Sequence, residues 1–138
     1  MADVKTKPTH QSVTAFLKTI EPQQKRSDSR TLLALFEEAT GEKAVMWGPS
    51  IIGFGVYQIK KGKQVNEWPL VAFSPRKQNL TLYILNKDEK EDASWKGLGK
   101  YHVSGVCLHI NRLADVDVGI LKKLIRKSFE KSKLALTT

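Results

Sequence analysis

The sequence predicts an α+β domain: an antiparallel sheet of about four to five strands, with an N-terminal helical hairpin and a C-terminal helix packed against it. Three observations predict it. Apolar residues recur at helical spacing near both ends of the chain, the period shifts to two between them, and the strand-like runs succeed one another through short turns. Strands in a row with short connections pair antiparallel, and helices set apart from them cover one face of the sheet.

Residues 1–10 read as a flexible lead, residues 11–133 as one domain and residues 134–138 as a tail. Val13, Phe16, Leu17 and Ile20 line one side of an amphipathic helix. The stretch "EPQQKRSDS", with Pro22, breaks it, and Asp28 or Ser29 is the expected cap of a second helix. That helix carries Leu32, Leu35, Phe36 and Ala39 and stops at Gly41. In "GFGVYQIKKGKQVNEWPLVAF" the alternation of Val56, Gln58 and Lys60 against Tyr57 and Ile59 predicts a strand. "KKGK" then turns the chain into a second run ending at Phe73. The turn "SPRKQN" leads to "LTLYIL", where Leu80, Leu82 and Ile84 share a face, so the runs form a meander.

The first half of "NKDEKEDASWKGLGKY" reads as a short surface helix or loop, and "KGLGK" as a turn. "VSGVCLHI" resumes a strand, with Val106, Leu108 and Ile110 on one face and Cys107 and His109 on the other. Asp115 or Asp117 then caps a last helix, whose Leu121, Leu124, Ile125, Ser128 and Phe129 form the buried stripe. Lys122, Lys123, Arg126 and Lys127 fall on its opposite face.

Composition narrows the function classes. A chain of 138 residues fits one domain. The lone Cys107 forms no internal disulfide, no apolar run approaches the ~18 residues of a membrane span, and "MADVKTKPTH" lacks the apolar region of a secretory signal. A cytoplasmic protein, monomer or homodimer, without a membrane partner is expected. The net charge of +9 favours an anionic small molecule or an acidic protein as partner. Nucleic acid suits the charge too, but no recognition motif is present and the aromatics are not interleaved with the basic residues. No nucleophile, base and orienter assemble into a catalytic set, so no enzyme is expected.

Two features compete as sites. "MWGPSIIGFG" crowds Trp47, Pro49 and three glycines together. Its plainer reading is a turn with Trp47 plugging one end of the core; the alternative has Trp47 and Tyr57 walling a cleft beside the backbone around Gly53. Three turns carry cations: Lys60, Lys61 and Lys63; Arg76 and Lys77; Lys96 and Lys100. Alternate turns of a meander lie at opposite ends, which separates the first two and allows "SPRK" to meet "KGLGK". Solvated turns are the ordinary account, because Lys and Arg favour turn tips. The functional account is a basic cleft lined by Trp47, Tyr57, Arg76, Lys77, Lys96 and Lys100, in which aromatics give apolar contact and cations neutralise a ligand.

Metal chemistry has thinner support. Cys107 and His109 share a strand face with Cα atoms ~6.7 Å apart, and only His102 and Asp115 stand near in sequence as further ligands. The acidic residues form two groups, Glu37, Glu38 and Glu42, and Asp88, Glu89, Glu91 and Asp92. Either group offers the oxygen ligands that hard cations such as iron prefer, although lysines are interleaved with both.

The helical hairpin, "WGPSIIGFGVYQ", "WPLVAFSPRKQNLTLYIL" and "LGKYHVSGVCLHINRLADVD" together resemble the YdhG-like family of domains of unknown function. The resemblance runs from about Thr14 to Phe129. It implies an α+β domain with an antiparallel sheet. Some members of that family are described as frataxin-like intracellular iron chaperones, so the resemblance implies iron as the alternative cargo. It carries no metal-binding residue onto a numbered position of this chain. The composition itself points first to a non-enzymatic module for an anionic ligand, without a cofactor.

Overall fold

A computed structural model of the chain describes residues 12–85, 95–105 and 107–137, by backbone alone at 57–61, 64–66 and 134–137. The expectations for the lead, for residues 86–94 with their acidic group, and for Val106 lie outside the described residues.

Helix α1 (Val13–Lys18) starts at Ser12, whose hydroxyl oxygen accepts the Ala15 N–H at 3.1 Å. Helix α2 (Gln23–Thr40) begins directly after Pro22 and ends at Gly41, which adopts φ 73° and donates its N–H to the Glu37 carbonyl at 2.8 Å. The expected cap at Asp28 or Ser29 is therefore corrected. Nothing in "QQKR" breaks a helix, and Gln, Lys and Arg are good helix formers, so the helix starts a turn and a half earlier. Asp28 and Ser29 are instead buried inside it. The Asp28 carboxylate accepts from Gln24 Nε2 at 3.0 Å and from the Leu113 backbone N–H at 3.2 Å, while Ser29 Oγ donates to the Lys25 carbonyl at 2.7 Å.

Eight strands follow among the described residues: β1 (Ala44–Trp47), β2 (Ile51–Phe54), β3 (Tyr57–Lys61), β4 (Gln64–Trp68), β5 (Val71–Pro75), β6 (Leu80–Tyr83), β7 (His102–Ser104) and β8 (Cys107–Ile110). Six form one antiparallel sheet in the order β1-β2-β5-β6-β8-β7, while β3 and β4 pair only with each other. The meander is thus β2-β5-β6, with the "KKGK" hairpin standing as a separate ribbon between β2 and β5. Three details differ from the sequence reading. "MWGPSIIGFG" is itself a hairpin of β1 and β2, the run ending at Phe73 divides around Pro69 and Leu70 into two strands, and "VSGVCLHI" divides at Gly105 into β7 and β8. A strand buried on both faces shows no alternation, which is why β2, buried from Ile52 to Phe54, is hard to read.

One face of the sheet carries Met46, Ile52, Phe54, Val71, Phe73, Leu80, Leu82, Leu108 and Ile110, all in the buried core. Phe36 of α2 seats between Phe54 and Phe73, with ring centroids 5.0 and 5.2 Å away. The last helix, α3 (Val118–Thr137), follows a 3-10 turn at Leu113–Asp115. Asp117 is its cap: Oδ1 accepts the Ile120 N–H at 3.0 Å. Leu121, Leu124, Ile125, Ser128 and Phe129 are buried, as the stripe requires, and Lys122 reaches Glu38 of α2 at 3.0 Å. Among the described residues no helix is long and apolar enough to cross a membrane.

Candidate functional site

The other face of the sheet, away from the helices, holds the polar chemistry. Register places Ser74 opposite Thr81, Thr81 opposite His109, and His109 opposite His102, so one row of side chains crosses four adjacent strands. The next row pairs Tyr83 with Cys107 and Cys107 with Ser104. Ser74 and Thr81 are buried. The imidazoles of His102 and His109 stack with centroids 5.8 Å apart and planes inclined by 27°.

A concavity of about 250 Å³ opens at this end of the sheet. Its polar lining comes from three segments: Asn79 from the β5–β6 turn, Lys100 and His102 from the chain entering β7, and His109, Asn111 and Asp115 from the end of β8 onward. Each segment is fixed from behind. The β5–β6 turn closes through the Arg76 N–H to the Asn79 carbonyl at 2.8 Å, and Lys25 of α2 donates its ammonium to the carbonyls of Arg76 and Lys77. Burial pushes the Lys25 amine below its ordinary value. Lys100 donates its backbone N–H to the Asp115 carbonyl at 3.0 Å, beside a bridge between Gly99 and Val116. Gly99 has φ 118°, and a Cβ there would lie 2.2 Å from the Asp115 carbonyl oxygen, so only glycine permits this approach.

The hydrogen-bond network assigns one tautomer, given the orientation of the Asn79 amide. Thr81 Oγ1 donates its single hydrogen to Asn79 Oδ1 at 2.8 Å. With Asn79 Oδ1 facing the hydroxyl, the Thr81 contact with His109 Nδ1 at 3.1 Å is assigned to the ring N–H, which leaves Nε2 of a neutral His109 as an acceptor. Burial first, then the charges of His102 and Arg76, hold His109 below the ordinary imidazole range. Burial raises the Cys107 thiol, and the nearby Arg76 charge only partly offsets it, so this thiol is a poor nucleophile. The Arg76 guanidinium donates to the Tyr83 hydroxyl and lies 6.0 Å from the centre of that ring.

The structure brings some of the sequence-predicted residues together and separates others. Lys100 and Asn79 line the same concavity, so the "SPRKQN" turn and the "KGLGK" loop meet at one end of the sheet, while Arg76 itself is outside the lining, with its guanidinium on the Tyr83 hydroxyl. Lys77 is exposed beside Arg76 and contributes a backbone carbonyl to Lys25, and Lys96 is exposed on the preceding turn; neither is in the lining. Trp47 is elsewhere. It stands on β1 at one sheet edge while His102 stands on β7 at the other, five strand spacings or roughly 24 Å away. Trp47 is 1% exposed, and its indole covers Gly53: a Cβ on that residue would fall 2.4 Å from the ring. It backs a second, more apolar hollow of about 290 Å³ with Val45, Val56, Glu42, Lys43 and Glu67. The Tyr57 side chain lies outside the described residues.

Asn79, Asn111, Tyr101 and the clamp at Lys25 escape the sequence reading. His102 and His109 enter it only as candidate metal ligands with Cys107. Their pairing is readable once "VSGVC" is taken as a hairpin, since Ser104 opposite Cys107 sets His102 opposite His109. Among the described residues no group of three His, Cys, Asp or Glu side chains converges as a metal site, and Glu38 is engaged by Lys122. Compared with protein families, with curated proteins and with solved structures, the chain matches none.

Proposed function

We propose that the chain is a non-enzymatic binding module for an anionic small molecule. Its site is the concavity between the β5–β6 turn, the loop before β7 and the end of β8. The observation that carries this reading is the convergence of Lys100, the His102–His109 pair and the amides of Asn79 and Asn111 on one hollow. The acidic member of the lining, Asp115, has its charge met by Arg112 at 3.4 Å. A volume of about 250 Å³ suits a small ligand or the anionic end of a larger one. The YdhG-like assignment remains part of the proposal, on the residues that carry the resemblance alone. Cytoplasmic residence is supported by a single cysteine with no intrachain partner.

Trp95 supplies the test. Its ring centroid lies 5.5 Å from that of Tyr101, which lines the hollow, whereas Trp47 is at the far edge. In a panel of phosphorylated and carboxylate metabolites, at least one should move the Trp95 indole N–H resonance and leave that of Trp47 in place. Lys100→Ala should weaken the response about tenfold or more, as loss of a hydrogen bond to a charged group implies. A panel that moves neither Trp95 nor Lys100 would overturn the reading.

A further inference from the structure

We infer that the hollow is built for a tetrahedral dianion, a phosphoryl group, and that the stacked His102–His109 pair takes up a proton from solvent as it binds. The inference rests on the proposed anion site and names its ligand class and its control. Donors approach from three segments rather than along one edge. Asn79 spends its Oδ1 on Thr81, which leaves its amide hydrogens as the polar group to offer, and Lys100 and the histidines stand on other sides of the same lining. Such a surround suits an ion with three outward oxygens better than a planar carboxylate with two.

The proton follows from the tautomer. With Nδ1–H committed to Thr81, neutral His109 turns an acceptor, Nε2, toward any ligand that reaches it. An oxyanion without protons meets that lone pair unfavourably, and protonation converts it into a charge-assisted donor. In the empty site this step is opposed first by burial of the ring, then by the charges of His102 from β7 and Arg76 from the β5–β6 turn, and Lys100 from the loop before β7 stands in the same lining. Asp115 of the lining is already paired with Arg112, while Thr81 and Tyr83 on β6 and Cys107 on β8, whose thiol burial holds protonated, are the remaining neighbours. A dianion reverses the balance, because it is the one partner that makes two adjacent imidazoles and a lysine favourable together. Affinity therefore rises as pH falls, and the same cations that hold His109 neutral when empty hold the ligand once it arrives.

Inorganic sulfate is the probe that isolates the protein's protons, since its own charge is constant across the working range. In wild type the logarithm of the association constant should fall with a slope approaching one per pH unit between the free and the sulfate-bound values of His109, a tenfold loss per unit. Long-range nitrogen spectra of the imidazoles should show His109 as the Nδ1–H form without sulfate and as imidazolium with it at the same pH. His109→Asn, which keeps a donor for Thr81, should flatten the slope while sulfate still binds. Acetate at equal concentration should leave both imidazoles unmoved. Sulfate that binds with a flat pH dependence in wild type overturns the proton coupling but spares the anion site, and acetate binding as tightly as sulfate overturns the ligand class. Sulfate and phosphate that fail to move the Lys100, His102 or His109 resonances at any pH overturn both.

Discussion

Gly53 and Trp47 show how one residue's absence of a side chain decides what its neighbour does. The indole lies where a Cβ on Gly53 would be, with Pro69 closing the space from the other side at 2.8 Å. Gly53→Ala must therefore displace the ring or the strand, and overpacking of this kind costs about 1–3 kcal/mol. A denaturant melt should show that loss together with a change in Trp47 emission; an unchanged midpoint would mean that the indole is not seated on the strand. His109 makes a second residue-scale prediction, through protons rather than volume. In the unfolded chain its imidazole titrates near ~6.5, and in the folded chain lower, so between the two values the unfolded state binds more protons. Stability from this residue is thus fully present above the unfolded value and lost as pH falls through the folded one. Between pH 7 and 5 the wild type should lose more stability than His109→Asn, measured as the difference in urea midpoints. Equal losses would sink the assignment of a depressed His109.

At the scale of elements, the docking of α3 and the tie from α2 are the joints that hold the frame. Leu124 is 5% exposed within the α3 stripe, and its truncation to Ala should cost about 2–5 kcal/mol. A loss under about half a kcal/mol would fall outside the range for a buried leucine and undo the packing described. Asp28→Ala attacks a different joint, since it strips the acceptor from the buried Leu113 N–H, 85 residues away in sequence. An unpaired buried donor costs about 1–3 kcal/mol, and amide exchange at Leu113 should accelerate with it. These two joints also mark what the sequence made legible. The α3 stripe was readable because helical period and a capping Asp117 agree, and Gly41 ended α2 for the same local reason. Asp28 was not: Asp is a common cap, and its partner comes from a turn that no local pattern announces. The β3–β4 ribbon was readable as a hairpin but not as a departure from the main sheet, because alternation tells which face a residue takes and not which sheet its strand joins. The site fared likewise. Lys100 and Arg76 stood out as charges, whereas Asn79 and the facing histidines acquire meaning only from cross-strand register.

For the whole molecule, the question is whether a net charge of +9 or one hollow does the binding. A field summed over the surface attracts any anion, and at physiological ionic strength its reach is cut to ~8 Å, so it treats lysines on different faces nearly alike. A site does not. Lys100 lines the hollow at the sheet end, while Lys123 is exposed on α3, which packs over the opposite face of the sheet. Lys100→Ala and Lys123→Ala remove the same single charge from the same total. If the field governs, the two variants should weaken binding of a phosphorylated ligand equally and elute from immobilised heparin at equally lowered salt. If the hollow governs, heparin elution should shift by the same small amount in both, because neither lysine is special to a polyanion. Affinity for the small dianion should then fall about tenfold or more for Lys100→Ala, the value of a hydrogen bond to a charged group, and stay within about twofold of wild type for Lys123→Ala. Calorimetry at two salt concentrations separates the cases further: a contact inside a partly enclosed hollow loses less to screening than surface attraction does. Equal losses in the two variants would assign the binding to net charge and leave the hollow without a role in it.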